Sequence, residues 1–304
     1  MNRKLIPHWM LAAIATVVVV ASACGSSTTP NASKGTITVA GFNFTESTIL
    51  AQIYGQALAH DGYTVNYKLR LGTREVLVPA MKNGTVDLYP GYAASDLEYY
   101  NNKKGEATGD GTATTAKLNT YLQPLNLVAL TPSGAVDQNA FAVTKATQAK
   151  YNLTKISDLA PIGSQLVLGA GPECPTRPYC LPGLQTTYGI HFKAFKALDT
   201  DGPATRAAFK NNSIQVGLVF SSDGDLDQLG LVVLQDDKHL EAADNVVPIV
   251  RTAVATDEVK RVLNSIDAKL TTADLLNMNQ QVSLEHKDAD AVAKAYLEKN
   301  NYFS

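Results

Sequence analysis

A short segment of the chain carries residues whose spacing suits the recognition of an anion. Cys174 and Cys180 flank Arg177, and a proline stands on each side of this arginine. An arginine held in one geometry presents a planar fork of N–H donors, which suits a carboxylate or another planar acceptor. The segment therefore predicts a binding arginine. The alternative is an arginine that pairs with Glu173 at the surface.

A faint internal repeat places two aromatic residues at equivalent positions. Residues 80–88 (AMKNGTVDL) are similar in sequence to residues 208–216 (AFKNNSIQV), at a constant offset of 128 positions. Tyr92 and Phe220 are separated by the same offset. Each copy has the pattern of a helix end, a polar turn and a buried strand. The repeat predicts two similar lobes with a small-molecule cleft between them. Two unrelated helix-strand pairs would give the same short similarity.

The N-terminus predicts export. Two basic residues precede an apolar run over residues 11–20, and small residues then lead to Cys24. The run is short for a membrane span, and its small-residue exit is typical of a signal peptide, which we place at residues 1–23. Because ASAC also resembles the bacterial lipobox, we expect acylation of Cys24 and a lipid anchor on the extracytoplasmic face of the cell membrane. Cleavage without acylation is the alternative, and residues 24–35 are expected to form a flexible tether.

Export decides how the remaining cysteines are interpreted. In an oxidising compartment, the pair Cys174 and Cys180 predicts a disulfide. A metal site would need more ligands, and the five histidines have no ligand spacing. Asp223, Asp225 and Asp227 resemble the start of a calcium loop, but the glycine and the final glutamate of such a loop are missing. We therefore expect neither a metal nor a cofactor.

The composition argues against two classes of function. The 304 residues carry a formal net charge of −2 and no basic stripe, so nucleic acid is not an expected partner. No nucleophile elbow, zinc-protease motif or phosphate-binding glycine loop is present, so we do not expect an enzyme. The length is ample for two lobes with separate cores.

The apolar pattern predicts alternating strands and helices. Asn43 and Glu46 form a capping signal for a first helix, whose free N–H groups would face the cleft. The β-α-β-α-β order implies a mainly parallel sheet. The strands of this first unit are predicted at residues 36–40, 63–71 and 86–89, with a helix at residues 73–83.

A second unit follows, and the chain then turns helical. Its strands are predicted near residues 165–168, 214–219 and 231–234. The late helices are predicted at residues 257–270, 273–282 and 288–299. We expect these helices to return to the first lobe, which requires chain crossings near residues 131–137 and 236–245.

Three motifs resemble the successive signatures of one known family. GFNFTE at residues 41–46, LGTREVL at 71–77 and VDLYPGY at 86–92 are similar to those of the glycine betaine/choline/carnitine substrate-binding proteins of ABC importers. The resemblance covers nearly all of the chain after the tether. It implies an α/β, two-lobed periplasmic-binding-protein fold of type II, with two chain crossings, mainly parallel sheets flanked by helices, and a ligand cleft between the lobes.

The resemblance also implies an organisation and a set of partners. Residues 36–133 and 241–304 would form lobe I, and residues 134–240 lobe II. The lobes would close on one small-molecule solute and hand it to the membrane permease and ATPase subunits of an importer. The receptor itself would be a monomer.

In this family a cage of aromatic rings commonly holds the quaternary ammonium group of the solute, since a methylated cation has no N–H to donate. Two cage positions fall on aromatic residues, Tyr92 and Phe220. The other two fall on Asn139 and Asp244, which are not aromatic. Asp137 belongs to the same segment as Asn139 and is included among the candidates.

The resemblance places three further residues at the carboxylate end of a betaine. Arg177 matches the arginine that grips the carboxylate, and Ser95 stands where a hydroxyl residue assists it. Phe42 replaces a polar or basic residue that is common at its position.

These residues predict the solute-binding subunit of an importer for glycine betaine, choline, carnitine or a related osmoprotectant. Because half of the cage is replaced, a different small polar or aromatic, hydroxylated solute is the alternative. An extracytoplasmic enzyme and a sensory lipoprotein on the same fold are more remote hypotheses.

Overall fold

The computed structural model describes residues 33–199 and 201–303. The predicted signal peptide, Cys24 and most of the predicted tether lie outside the described residues. Within the described part of the chain, no helix is both long and apolar enough to cross a membrane.

The described residues alternate between strands and helices, as the sequence pattern predicts. The strands are β1 (Thr36–Ala40), β2 (Thr64–Lys68), β3 (Leu88–Tyr92), β4 (Leu127–Ala129), β5 (Asn139–Thr144), β6 (Val167–Ala170), β7 (Ala194–Ala197), β8 (Val216–Phe220), β9 (Leu231–Val233) and β10 (Val246–Arg251). The helices are α1 (Thr45–His60), α2 (Arg74–Lys82), α3 (Ala93–Tyr100), α4 (Gly111–Leu122), α5 (Lys145–Tyr151), α6 (Leu181–Tyr188), α7 (Pro203–Lys210), α8 (Asp257–Asp267), α9 (Thr272–Ser283) and α10 (Ala289–Lys299).

The strands form two five-stranded sheets of the same topology. The first sheet has the order β2-β1-β3-β10-β4, and the second has the order β7-β6-β8-β5-β9. In each sheet four strands run in one direction and one strand, β10 or β5, runs against them. The expected α/β fold with mainly parallel sheets is confirmed.

The chain passes twice between the two sheets. It leaves the first sheet after β4 and enters the second at β5, and it returns from β9 to β10. Each passage leads into the reversed strand of the sheet that it enters. The passages, residues 130–138 and 234–245, contain the two segments predicted to be crossings.

Each sheet has its own hydrophobic core. Buried residues of β1 and α1, such as Val39 and Leu50, share one core with Leu263 of α8 and Leu297 of α10. Phe141 and Leu168 belong to a separate core around the second sheet. The late helices therefore return to the first sheet, as the sequence pattern predicts.

The internal repeat is confirmed by the structure of its two copies. Helices α2 and α7 end at Lys82 and Lys210, and strands β3 and β8 cover equivalent residues, all at the offset of 128. The turn between helix and strand needs a left-handed residue in both copies, Gly84 with φ 77° and Asn212 with φ 56°. Glycine and asparagine are the residues that adopt this conformation most readily.

Several predicted boundaries were wrong by a few residues, and the structure shows the cause of two of them. Helix α1 begins at Thr45, and Asn43 does not cap it. The expected capping box does not form, because the side chain of Glu46 accepts a hydrogen bond from Tyr92 instead. Strand β2 ends before residue 71, because Arg70 has a φ of 54° and leaves the extended conformation.

Candidate ligand-binding cleft

A cavity lies at the carboxyl ends of strands from both sheets. Its volume is about 100 Å³, which suits a small solute. Tyr92 ends β3, Phe220 ends β8, and Phe42 follows β1 by two residues. The eight residues predicted to bind the ligand all line it: Phe42, Tyr92, Ser95, Asp137, Asn139, Arg177, Phe220 and Asp244. The structure therefore brings together side chains that are up to about 200 positions apart in the sequence.

One wall of the cavity is aromatic. The ring of Phe44 lies 5.0 Å from that of Phe220, 5.9 Å from that of Tyr92 and 6.0 Å from that of Phe42, measured between centroids. Phe44 is thus the ring that joins the three predicted aromatic residues. The sequence interpretation missed it, although it stands in the same GFNFTE motif as Phe42.

The hydroxyl group of Tyr92 ties this wall to a buried carboxyl group. It donates a hydrogen bond to Glu46 Oε1 at 2.9 Å, and Asn279 Nδ2 donates to Glu46 Oε2 at 2.8 Å. Burial raises the pKa of Glu46, although hydrogen bonds from Ser222, Asn279 and Tyr92 oppose the shift. The ring of Tyr92 is therefore held in one orientation by a residue of α1.

Asp137 is a buried carboxyl group that lines the cavity itself. Its Oδ1 accepts a hydrogen bond from Ser222 Oγ at 2.8 Å, and its side chain is almost fully buried. Burial raises the pKa of Asp137 well above its usual value, and the nearby Glu46 adds to this shift. Both shifts favour the protonated, uncharged form of the two carboxyl groups.

Asp244 occupies one of the two replaced cage positions and binds Ser95. Its Oδ1 accepts from the backbone N–H of Ser95 at 3.0 Å, and its Oδ2 accepts from Ser95 Oγ at 2.6 Å. Ser95 lies in the first turn of α3, where free N–H groups favour an anion. Burial nevertheless raises the pKa of Asp244 to about 6, although Arg74 and the two hydrogen bonds from Ser95 oppose the shift.

Asn139, at the other replaced position, also lies beside a carboxyl group. It pairs with Phe220 across β5 and β8, and its Nδ2 donates to Glu241 Oε2 at 3.4 Å. The other carboxyl oxygen of Glu241 is buried and has no hydrogen-bond partner among the described residues. Burial raises the pKa of Glu241 well above its usual value. Acidic groups therefore adjoin both positions where rings were expected.

The predicted disulfide between Cys174 and Cys180 is present, with 5.2 Å between the Cα atoms. Two backbone hydrogen bonds also hold this segment in a turn. The N–H of Arg177 donates to the carbonyl oxygen of Cys174, and the N–H of Cys180 donates to the carbonyl oxygen of Arg177. The side chain of Arg177 is 16% exposed, so it lies largely inside the cleft. Its guanidinium lies over the ring of Tyr99 and donates to Glu75 Oε1 at 2.7 Å.

Arg74 is a second cation in the cavity wall, and the sequence interpretation missed it. Its Nε donates to Asp96 Oδ1 at 2.8 Å, and its guanidinium lies 4.9 Å from the centroid of the Phe42 ring. Burial alone would lower the pKa of Arg74, but Asp96 and Asp244 raise it above its usual value. A cation thus lies beside Phe42, which stands at a position where the family commonly has a polar or basic residue.

Two of the aspartates that resemble the start of a calcium loop bind basic side chains instead. Asp225 accepts from Arg206, and Asp227 forms an exposed ion pair with Lys145. No three histidine, cysteine, aspartate or glutamate side chains in residues 33–199 and 201–303 are placed to hold a metal ion.

Two matching sheets, two passages of the chain and a cavity at the strand ends define a two-lobed α/β solute-binding protein. Residues 35–299 match the family described as the substrate-binding domain of the ABC-type glycine betaine transport system. The chain belongs to this family, whose members are the substrate-binding components of transporters.

Similar proteins agree with this assignment. The chain is 28% identical to a carnitine transport binding protein of Listeria monocytogenes, over 93% of this chain and 92% of the relative. It is 26% identical to a glycine betaine-binding protein of Escherichia coli, over 85% of this chain and 88% of the relative. A crystal structure described as a glycine betaine/carnitine/choline ABC transporter has the same fold. It matches 88% of this chain and 100% of its own, with a TM-score of 0.67 and 23% identity.

Proposed function

We propose that this protein binds a quaternary amine of the osmoprotectant class in the cavity and delivers it to the permease of an ABC importer. The single observation that carries the proposal is the aromatic wall, in which Phe42, Phe44, Tyr92 and Phe220 contact one another in a chain. A methylated ammonium group is held best by ring faces, because it cannot donate hydrogen bonds. The buried carboxyl group of Asp244, whose pKa is about 6, is ionised at neutral pH and adds Coulomb attraction for the same cation.

The proposed binding site comprises the eight predicted residues and Phe44. Residues 36–133 and 241–304 would move as lobe I and residues 134–240 as lobe II, with the solute clamped between them. The identical topology of the two sheets supports this division. The positions of Phe42, Tyr92 and Phe220 at the carboxyl ends of the strands support binding at the boundary.

We propose that the receptor works as a monomeric lipoprotein without enzymatic activity. A signal peptide at residues 1–23 and acylation of Cys24 would hold it on the extracytoplasmic face of the membrane. Family membership supports the partnership with permease and ATPase subunits.

A thermal-shift and calorimetry screen tests the ligand class. Glycine betaine, carnitine and choline are compared with amino acids, sugars and polyphenols. A ligand at 100 times its Kd should stabilise the protein by about 2.7 kcal/mol, which corresponds to a rise in Tm of roughly 5 to 10 °C. Phe220→Ala should lose most of this rise, whereas Leu276→Ala, an exposed side chain on α9, should retain it.

The outcome separates the candidate ligand classes. A shift with quaternary amines that depends on Phe220 supports the proposal. A shift only with a sugar, an amino acid or a polyphenol would overturn the quaternary-amine ligand and leave the receptor class standing. Turnover of a bound compound would point to the enzyme hypothesis instead.

A further inference from the structure

Both cations in the cavity wall already have carboxylate partners. The Nε of Arg74 bonds Asp96, and the terminal nitrogen of Arg177 bonds Glu75 at 2.7 Å. Each arginine also lies over an aromatic ring, which fixes the plane of its guanidinium. A ligand carboxylate would therefore meet cations whose charge is already neutralised.

Glu75 is positioned by its own surroundings. It lies in the first turn of α2, where the helix favours a negative charge, and Thr73 Oγ1 donates to its Oε2 at 2.6 Å. Burial alone would raise the pKa of Glu75, but the hydroxyl of Thr73 and the charge of Arg177 lower it. Glu75 is thus a carboxylate ready to bind Arg177 before any solute arrives.

The ion pair of Glu75 and Arg177 spans the cleft. Glu75 follows β2 of the first sheet, whereas Arg177 follows β6 of the second sheet and is held by the disulfide. The two residues are 102 positions apart in the chain. When the cleft closes on a zwitterionic solute, Arg177 is the cation that would meet the carboxylate of the solute. In this structure Glu75 occupies that place.

The hydroxyl group of Ser95, another donor in the cavity wall, is also occupied. Ser95 Oγ donates its one proton to Asp244 at 2.6 Å, and Phe42 has no polar atom on its side chain. The carboxylate oxygens of Asp244, which lines the cavity, both accept hydrogen bonds, and so does Glu241 Oε2 beside Asn139. A hydroxyl group on the solute could donate a hydrogen bond to these acceptor oxygens. A carboxylate on the solute would instead be repelled by the like charges of Glu75 and Asp244.

We propose that Glu75 is a specificity-determining residue that makes this receptor prefer a quaternary ammonium alcohol, such as choline, over a zwitterion, such as glycine betaine. The inference rests on the proposed function. Glu75 supplies from within the protein the carboxylate that a betaine would bring. A zwitterion has to displace Glu75 from Arg177 into water, and this competition weakens its binding.

Titration calorimetry on the full chain, purified in mild detergent, tests the proposal. The wild type should bind choline at least tenfold more tightly than glycine betaine. Glu75→Gln removes the competing charge at nearly constant shape, so it should shift the ratio of the two affinities at least tenfold towards glycine betaine. Glu258→Gln is the matched control, because Glu258 also lies in the first turn of a helix, α8, and pairs with a basic residue, Lys34. It should leave the ratio unchanged within twofold.

A double variant identifies the partner. If Arg177 is the group that Glu75 blocks, adding Arg177→Gln to Glu75→Gln should abolish the gain for glycine betaine. A wild type that prefers glycine betaine, or a ratio that Glu75→Gln does not change, overturns the inference and leaves the proposed function intact. Failure of choline, glycine betaine and carnitine alike to bind the wild type overturns the proposed function and the inference with it.

Discussion

The carboxylate of Asp244 accepts two hydrogen bonds from Ser95, one from the backbone N–H at 3.0 Å and one from the side-chain hydroxyl at 2.6 Å. The two residues are 149 positions apart, and both line the cavity. The contact places an anion at the start of α3 and uses the one proton of the Ser95 hydroxyl. A position expected to hold a ring thus carries a charge that can change with pH.

The affinity for a quaternary ammonium ion should rise with pH between 5 and 7.5. Burial raises the pKa of Asp244 to about 6, so its ionised and attractive form is populated through this window. The affinity is expected to increase about tenfold, because the ionised fraction of a group with this pKa increases about tenfold between pH 5 and 7.5. Calorimetry at pH 5.0, 6.0 and 7.5 measures it. Asp244→Asn should remove the gain, and an unchanged pH profile in this variant would assign the effect to another carboxyl group.

The stability of the ligand-free protein should depend on pH in the opposite sense. Because the pKa of Asp244 is higher in the folded state than in the unfolded chain, the folded state binds more protons between pH 4 and 6. The contribution of this group to the free energy of unfolding is therefore present at low pH and is lost as the pH rises through 6. Urea unfolding of the wild type and of Asp244→Asn at pH 4.5 and 7 measures the difference.

Two variants of Tyr92 separate its ring from its hydroxyl group. Tyr92→Phe removes the hydrogen bond to the buried Glu46 and should lower the free energy of unfolding by about 1 to 2 kcal/mol. Ligand affinity should stay within threefold, because the ring remains. Tyr92→Ala should weaken binding at least tenfold. Equal losses of affinity in the two variants, measured by calorimetry, would contradict a cation held by the ring face.

Arg74→Met should be strongly destabilising. It leaves the fully buried Asp96 without its cation, and loss of one partner of a buried pair costs about 3 to 5 kcal/mol. Arg261→Met is the control, because Arg261 is 64% exposed and its pair with Asp61 should contribute less than about 1 kcal/mol. Denaturant unfolding compares the two variants, and similar losses would mean that Asp96 finds another partner.

The disulfide should matter more for binding than for stability. Cys174→Ser combined with Cys180→Ser opens a short loop, so the loss in free energy of unfolding should be about 2 kcal/mol or less. The same change frees Arg177 from its fixed position and should weaken ligand binding about tenfold. A large fall in Tm with unchanged affinity would make the bridge a structural device only.

Much of the fold could be predicted because it depends on local patterns. The repeat at an offset of 128 positions correctly predicted two equivalent helix-strand units, and in the structure their strands end at Tyr92 and Phe220. The cap at Asn43 could not be judged locally, since the side chain of Glu46 binds Tyr92 and Asn279 from distant elements. A local capping signal fails where a tertiary contact takes the same side chain.

The sequence by itself determined the two α/β units and the cysteine pair, and it indicated eight of the residues that line the cleft, although not Phe44 or Arg74. These features follow from hydrophobic periodicity, turn chemistry and motifs, each of which is written in neighbouring residues. Only the tertiary structure decided the pairing of charges, in which Arg177 binds Glu75, Arg74 binds Asp96 and Asp244 binds Ser95. Each of these residues had several possible partners in the chain, and the choice depends on distances and burial that exist only once the two sheets are folded together.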